Sequence, residues 1–316
     1  MFIGIDVGSQ FLDAAASDPA PSLPRRVANA DDGISTLIGA LTSLRPALVV
    51  LEATGNYHRP LLAALLVAAL PVAVANPAQV AAFRASRLGR HKTDRQDAKL
   101  LARFAELHHD ELRRATPDEP DLARLRALVG YRDDLVAQIT AARNRRHAAT
   151  WSAATEVVAW LEGDLAALEA RRAEVEQAMA TLMAERPETA VLTTQAGVGL
   201  LTAAAVLAYL PPGVLGDAKK AAAYAGVHPR QQQSGAQASS RLSKQGCPAL
   251  RRYLYLAAMT AIRWDPEIAQ WYHRLRGRGK AAQSALCAVA HKLLRRMMGR
   301  IRELRQEEHV IVPAAA

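Results

Sequence analysis

The sequence predicts an α/β domain followed by a mainly helical remainder. Three observations carry that expectation. Short apolar runs alternate with amphipathic stretches over residues 1–115. Heptad-like stripes run from 116 to 188 with no companion strand signal. From 189 to 310, apolar helical segments alternate with polar and basic ones. With 316 residues, half of them apolar, the chain is long enough for two or three domains with real cores.

Taken in order, FIGIDV, FLDAAASD and RRVANA predict three short strands joined by tight turns. DDGISTLIGALTSL predicts a helix capped by Asp31 or Asp32. ALVVLEAT reads as a buried strand, YHRPLLAALLVAA as a helix and VAVAN as a further strand. AQVAAFRASRLG and DRQDAKLLARFAEL close the segment as helices. This is the element order of a ribonuclease-H-like fold, although other α/β folds share the pattern.

The second segment holds Leu, Leu, Val, Arg, Val and Ile at positions 122, 125, 129, 132, 136 and 139. Positions 161, 165, 168, 172, 175, 179 and 182 continue the spacing with Leu, Leu, Leu, Arg, Val, Met and Leu. These alternating threes and fours predict two long helices joined near TWSAAT. They form either a coiled-coil arm that pairs with a second copy or a hairpin that packs on itself. The third segment opens with TQAGVGLLTAAAVLAYLPP, a Gly-x-Gly at the mouth of an apolar helix. Such a turn lets backbone amides approach a phosphate, but the pattern is common and weighs little. QQQSGAQASSRLSKQG follows as a polar loop, and helices run from Ala249 onward. In HKLLRRMMGRIRELR the apolar spacing predicts a core face with the arginines opposite.

Formal charge is +10, and its distribution is uneven. Residues 191–305 hold 18 Lys and Arg against 4 Asp and Glu. Such a field favours phosphate backbones, as it would in any basic ribosomal or membrane-surface module. Aromatic residues are 5%, too few for base stacking to dominate. Cys247 and Cys287 are too few for a disulfide framework or a zinc knuckle, which fits a reducing cytosol. The early charge in MFIGIDVGSQ argues against a signal peptide. The apolar stretch 60–75, broken by Pro71, is too short to span a bilayer.

Four acids invite a joint reading. Asp6 ends the first strand and Glu52 ends the next long apolar one. Burying a lone carboxylate is expensive, so each needs a partner or a metal. In HKTDRQDA, Asp94 and Asp97 stand three apart on one helical face. In a ribonuclease-H-like sheet the first and fourth strands are neighbours and the last helix packs beside them, which would converge all four. Four hard oxygen ligands suit Mg²⁺, singly or as a pair of ions. Singly, each has a plainer explanation. Asp6 fits a strand-end turn, or the phosphate-site acid of an actin-like ATPase, although no second phosphate-binding strand motif follows. Glu52 fits a buried ion pair, and the Asp94/Asp97 pair fits a helix N-terminus.

GIDVGS, LEATGNY, KTDRQDA and PRQQQSG together resemble the DEDD transposases of insertion-sequence family 110, which includes Piv-type DNA invertases and bridge-RNA-guided recombinases. LEATGNY and KTDRQDA are the specific motifs; the match runs in order from Asp6 to about Met298. The resemblance implies a RuvC-like N-terminal domain over 1–115, with Asp6, Glu52, Asp94 and Asp97 binding Mg²⁺. It implies a coiled-coil arm over 116–188 and a transposase domain over 189–310 whose nucleophile is Ser234. In the family, that serine forms a covalent phosphoserine link to DNA, and a bridge RNA pairs with donor and target DNA. The working form is an oligomer, dimer or tetramer, in the bacterial cytoplasm and on the nucleoid when active.

A serine hydroxyl is a poor nucleophile unaided. Arg230, Arg241 and Lys244 would supply positive charge near Ser234, with Lys92, Arg95, Arg251 and Arg252 as further nucleic-acid contacts. Ser239, Ser240 and Ser243 are nearby rivals, since Ser-Gly in a polar loop is usually only a turn. Where the family pattern leads one to expect a small polar residue such as Asn, Cys247 and Pro248 stand, so the helix start is shifted, and Cys247 reads as a small buried residue. His228 and His291 read as packing residues. The rival functions are a Mg²⁺-dependent junction nuclease that makes no use of Ser234, and a non-catalytic nucleic-acid-binding protein.

Overall fold

The computed structural model describes the chain apart from residues 53–54, 56, 87–93, 118, 152–154, 235–236, 243–245 and 312–316, and apart from the side chains of 94–95, 229–234, 237–242 and 308–311. It divides into two compact units, Met1–Asp118 and Glu119–Ala316.

The first unit contains one five-stranded sheet. Its strands are β1 (Phe2–Val7), β2 (Phe11–Ala16), β3 (Arg26–Ala28), β4 (Leu48–Glu52) and β5 (Val72–Ala75), in the order β3-β2-β1-β4-β5. β3, β2 and β1 pair antiparallel, whereas β1, β4 and β5 pair parallel. The expected neighbours, first and fourth strands, are thus adjacent. Helices α1 (Asp31–Leu44) and α2 (Arg59–Val67) precede β4 and β5. α3 (Pro77–Ala85) and α4 (Asp94–His108) follow.

The two sheet faces have separate cores. Ile3, Ile5, Val7, Leu12, Val49 and Leu51 pack with Leu37, Leu41, Leu61 and Leu65 of α1 and α2. Leu48, Val50, Ala73 and Ala75 pack with Val80 of α3 and with Leu101, Phe104 and Ala105 of α4. The strand period of two therefore assigns each β1 and β4 residue to one side. Asp31 and Asp32 do not cap α1. Ala30 holds the cap position without a side-chain bond, and the two acids occupy the first turn, where the helix dipole favours them.

The second unit begins with two 30-residue helices, α5 (Pro120–Ala149) and α6 (Thr155–Ala184), packed on each other within the chain. The heptad stripes meet here, but with a drift. Leu135, outside the strict repeat, is buried in the core of the second unit, while Val136 of the stripe is half-buried. The arginines that interrupt the two stripes converge on one carboxylate. Arg132 Nε donates to Glu176 Oε1 at 2.9 Å, and Arg172 Nε lies 3.8 Å from the same oxygen.

The remaining helices are α7 (Pro187–Thr193), α8 (Leu200–Tyr209), α9 (Ala218–Ala225), α10 (Pro248–Trp264), α11 (Pro266–Gly277) and α12 (Ala282–Ile311). α8 is buried along nearly its whole length, at the centre of a core shared with α5, α10 and α12. Gly197, at φ +85°, explains the Gly-x-Gly before α8. A Cβ there would lie 2.5 Å from the Ala257 carbonyl oxygen of α10, so the glycine serves helix packing. The polar stretch read as a loop is an antiparallel hairpin. β6 (Pro229–Ser234) pairs with β7 (Gln237–Leu242), and Ser234 lies in register with Gln237. Its Gln and Ser ladder carries no apolar alternation, so the usual strand signal was absent. Among the described residues, no helix is long and apolar enough to cross a membrane.

Candidate functional site

β1 places Phe2, Gly4 and Asp6 on the sheet face covered by α4, and β4 places Leu48, Val50 and Glu52 on the same face. The parallel register pairs Gly4 with Val50 and Ile5 with Leu51. One step further, Asp6 and Glu52 stand level at the ends of neighbouring strands, about 5 Å apart in the backbone. Both are half-buried.

Gly4 sets how closely α4 approaches. An added Cβ would lie 2.2 Å from the Ala102 amide nitrogen and 2.3 Å from the Ala98 carbonyl oxygen. The α4 backbone therefore rests directly on β1, two residues before Asp6 and one residue from Asp97. Asp97 is 9% exposed. Its Oδ1 lies 3.0 Å from Nη2 of Arg84, which comes from α3. Arg84 is thus a cation already seated on the fourth acid, and its Nε is buried with no hydrogen-bond partner.

A carboxylate outside the sequence reading joins this face. Asp13 of β2 lies directly opposite Asp6 in the antiparallel register, and Arg26 of β3 lies opposite Asp13. The three form one cross-strand row. Asp13 is 7% exposed. Arg26 holds it with Nε at 3.0 and 3.1 Å from the two oxygens and Nη2 at 2.8 Å, while the guanidinium lies 5.2 Å from the Phe11 ring centre. Like charges directly opposite repel, and the Arg26 fork offsets that repulsion. The available signal was an acid inside an otherwise small and apolar strand, FLDAAA.

The other expected site residues divide by position. The backbone of Asp94 begins α4, and Arg95 follows it. Lys92 and Lys244 lie outside the described residues. Among the described residues, no three His, Cys, Asp or Glu side chains are grouped to hold a metal. In the second unit Ser234 ends β6, and Arg230 lies opposite Arg241 in the ladder. Ser239 and Ser240 pair with Gln232 and Gln231, whereas Ser243 lies outside the described residues.

Cys247 takes the N-cap position of α10, with Pro248 in the first turn, so the helix begins where the sequence departs from the family pattern. Burial pushes the Cys247 thiol above its ordinary range, which suits packing better than chemistry. Arg251 is half-buried, with Nη1 unpartnered. Arg252 is ion-paired to Asp133 of α5. The Tyr253 hydroxyl donates to the other Asp133 oxygen at 2.7 Å. Burial, and then Asp133, push the Tyr253 phenol up to about 12. His291 of α12 is held below its ordinary value, chiefly by burial and then by Arg295 and His228.

Comparison with known proteins fits these observations. A DEDD-type IS110 transposase model matches residues 3–150, and a model described as transposase IS116/IS110/IS902 family matches 189–274. A pilin gene-inverting protein of Moraxella bovis is 27% identical over 254 residues, covering 78% of this chain and 77% of its own. Its counterpart from Moraxella lacunata matches to the same extent. The insertion element IS110 43.6 kDa protein of Streptomyces coelicolor is 30% identical over 149 residues, 46% of this chain and 37% of its own. Two models from one family, falling in order along residues 3–274, place this chain in the IS110 family of DNA transposases.

Proposed function

We propose that the chain moves an insertion sequence by cutting and rejoining DNA, with the acids of the first unit and Ser234 of the second as the reacting groups. The first unit is read as a RuvC-like domain over 1–115, α5 and α6 as the arm over 116–188, and the rest, 189–310, as the transposase domain. The observation that carries the reading is the level placement of Asp6 and Glu52 at the ends of neighbouring strands, on the sheet face that α4 packs against at Gly4. Oxygen-only donors suit a hard divalent cation, which would displace Arg84 from Asp97 on binding. Asp6, Glu52, Asp94 and Asp97 would hold Mg²⁺, which lowers the pKa of a bound hydroxyl and steadies negative charge on phosphate oxygens.

Ser234 Oγ would attack a DNA phosphorus. One phosphodiester P–O bond breaks as the phosphoserine bond forms, so the energy of the ester is kept for rejoining. Arg230 and Arg241 face each other in the backbone register of the ladder, and two cationic residues on paired strands favour a phosphate nearby. Lys92, Arg95, Lys244, Arg251 and Arg252 are proposed as further contacts to donor and target DNA and to a structured guide RNA. Assembly is proposed as a dimer or tetramer. The names of the Moraxella relatives, which describe inversion of a pilin gene, support DNA rejoining over cleavage alone.

The test is recombination between donor and target plasmids with the guide RNA, combined with trapping of protein–DNA adducts. Wild type should recombine and give an adduct, Ser234→Ala should do neither, and Asp94→Ala should not recombine. An undiminished adduct in Ser234→Ala removes the serine role. Cleavage by wild type with no adduct would favour a junction nuclease that uses the acids alone.

A further inference from the structure

The second unit contains a large open cleft, about 1190 Å³, between the start of α9 and the stretch of α12 from His291 to Gln306. Its cationic lining is Lys219, Arg295, Arg302 and Arg305, together with His291. On α12 these fall at 291, 295, 302 and 305, spaced four, seven and three, which is one face of a helix. The adjoining face supplies Leu294, Met297 and Ile301 to the core.

The charges are also available. Arg295, Arg302 and Lys219 are exposed and take part in none of the ion pairs found among the described residues. By contrast, neighbouring Arg296 and Lys292 are tied to Asp265 and Glu267. Arg305 is fixed by donating to the Leu215 carbonyl at 2.8 Å, which aims it from α12 toward the α9 side of the cleft. The single lining acid, Asp217, caps α9 by accepting from the Lys219 and Lys220 amides, and it pairs with the Lys220 ammonium at 3.1 Å. Its charge is therefore directed at the helix end.

We propose that this cleft seats the phosphodiester backbone of a nucleic acid, independent of sequence. Arg295 to Arg305 spans about 15 Å along the helix at 1.5 Å per residue. That is about four nucleotide steps at 3.4 Å each, enough for three or four phosphates to meet the guanidinium groups. Open width and lack of aromatic lining suit a backbone rather than stacked bases. The inference rests on the transposase reading for its ligand class, but its test is binding alone.

The experiment measures binding of full-length protein to a fluorescent random-sequence DNA duplex, and separately to an RNA duplex, between 50 and 200 mM salt. Comparing wild type with the double variant Arg295→Ala/Arg302→Ala, the slope of log affinity against log salt should fall by about 1.8 for the DNA duplex. The same loss should appear for unrelated sequences. Across that salt range the variant would lose about twelve-fold less affinity than wild type. A change with one duplex only assigns the cleft to that nucleic acid; no change with either overturns the proposal. Arg302→Lys, which keeps the charge, should keep the slope; a fall there would also overturn it. Should the double variant unfold, Lys219→Ala reads the same slope with about half the effect. If strand transfer failed in wild type while these slopes behaved as stated, the recombinase reading would fall and the cleft would stand.

Discussion

Replacing Gly4 by alanine tests the geometry of the acid site without touching any acid. The new methyl carbon would sit 2.2 Å from the Ala102 nitrogen and 2.3 Å from the Ala98 oxygen, both of them α4 backbone. Ordinary contact begins near 3.5 Å, so α4 must lift from β1 by roughly 1 Å. Neither neighbour is a flexible side-chain end that could swing away. Overpacking of this kind costs about 1–3 kcal/mol, which should appear as a lower denaturant midpoint for the first unit. The functional loss should be larger in proportion. Asp97 is adjacent to Ala98 and would move with it, and a misplacement of about 1 Å between reacting groups costs on the order of 100-fold in rate. The assay is plasmid strand transfer beside a denaturation curve, with Gly39→Ala as the control. Gly39 lies in α1 of the same unit, where an added Cβ meets nothing within 4 Å. Strand transfer by Gly4→Ala within two- or three-fold of wild type, in a protein of normal stability, would refute the claim that Gly4 sets the α4 approach.

Other expected outcomes are independent of that one. Arg26→Ala strips the counter-charge from Asp13, whose side chain is only 10% exposed, beside Asp6. It should cost about 2 kcal/mol, less than for a fully buried pair because half the Arg26 side chain is in water. Chemical denaturation checks this, and adding Asp13→Asn should recover most of the loss. Burial, and then the bond to Asp133, favour the neutral phenol of Tyr253 in the fold, raising its pKa from 10.0 to about 12. Its contribution is complete below pH 10 and disappears as pH climbs to 12. The stability gap between wild type and Tyr253→Phe should therefore shrink over that window, and a gap constant with pH would count against the bond. Gly197→Ala meets both a positive φ and a Cβ 2.5 Å from the Ala257 oxygen, so its melting temperature should fall, with a cost of about 1–3 kcal/mol.

The element order of the first unit was legible because β1, β4 and β5 are mostly apolar runs between turn residues. Asp6 and Glu52 were legible for the same reason: an acid closing such a run is conspicuous. Asp13 was not, because a single Asp among alanines looks like a solvent-facing position until the register shows it opposite Asp6. Arg26 was hidden still further, since only pairing across two strands connects it to Asp6. The Ser234 hairpin escaped because backbone ladders leave no periodic mark when both faces are polar. The arginines at 132 and 172 read as breaks in a coiled-coil seam, yet both form ion pairs with Glu176, a three-body arrangement that no single-helix pattern encodes.

The packing of α4 on Gly4 has a consequence for how the protein comes into being. The site joins the earliest strand of the chain to the last helix of the first unit, so its acids are separated by some 90 residues of synthesis. Contacts so distant in sequence close only after the intervening chain exists. A growing polypeptide that has emitted β1 through β5 displays Asp6 and Glu52 on an uncovered sheet face, without the helix that completes them. On the reading proposed above, the acid site is therefore complete only once α4 has been made.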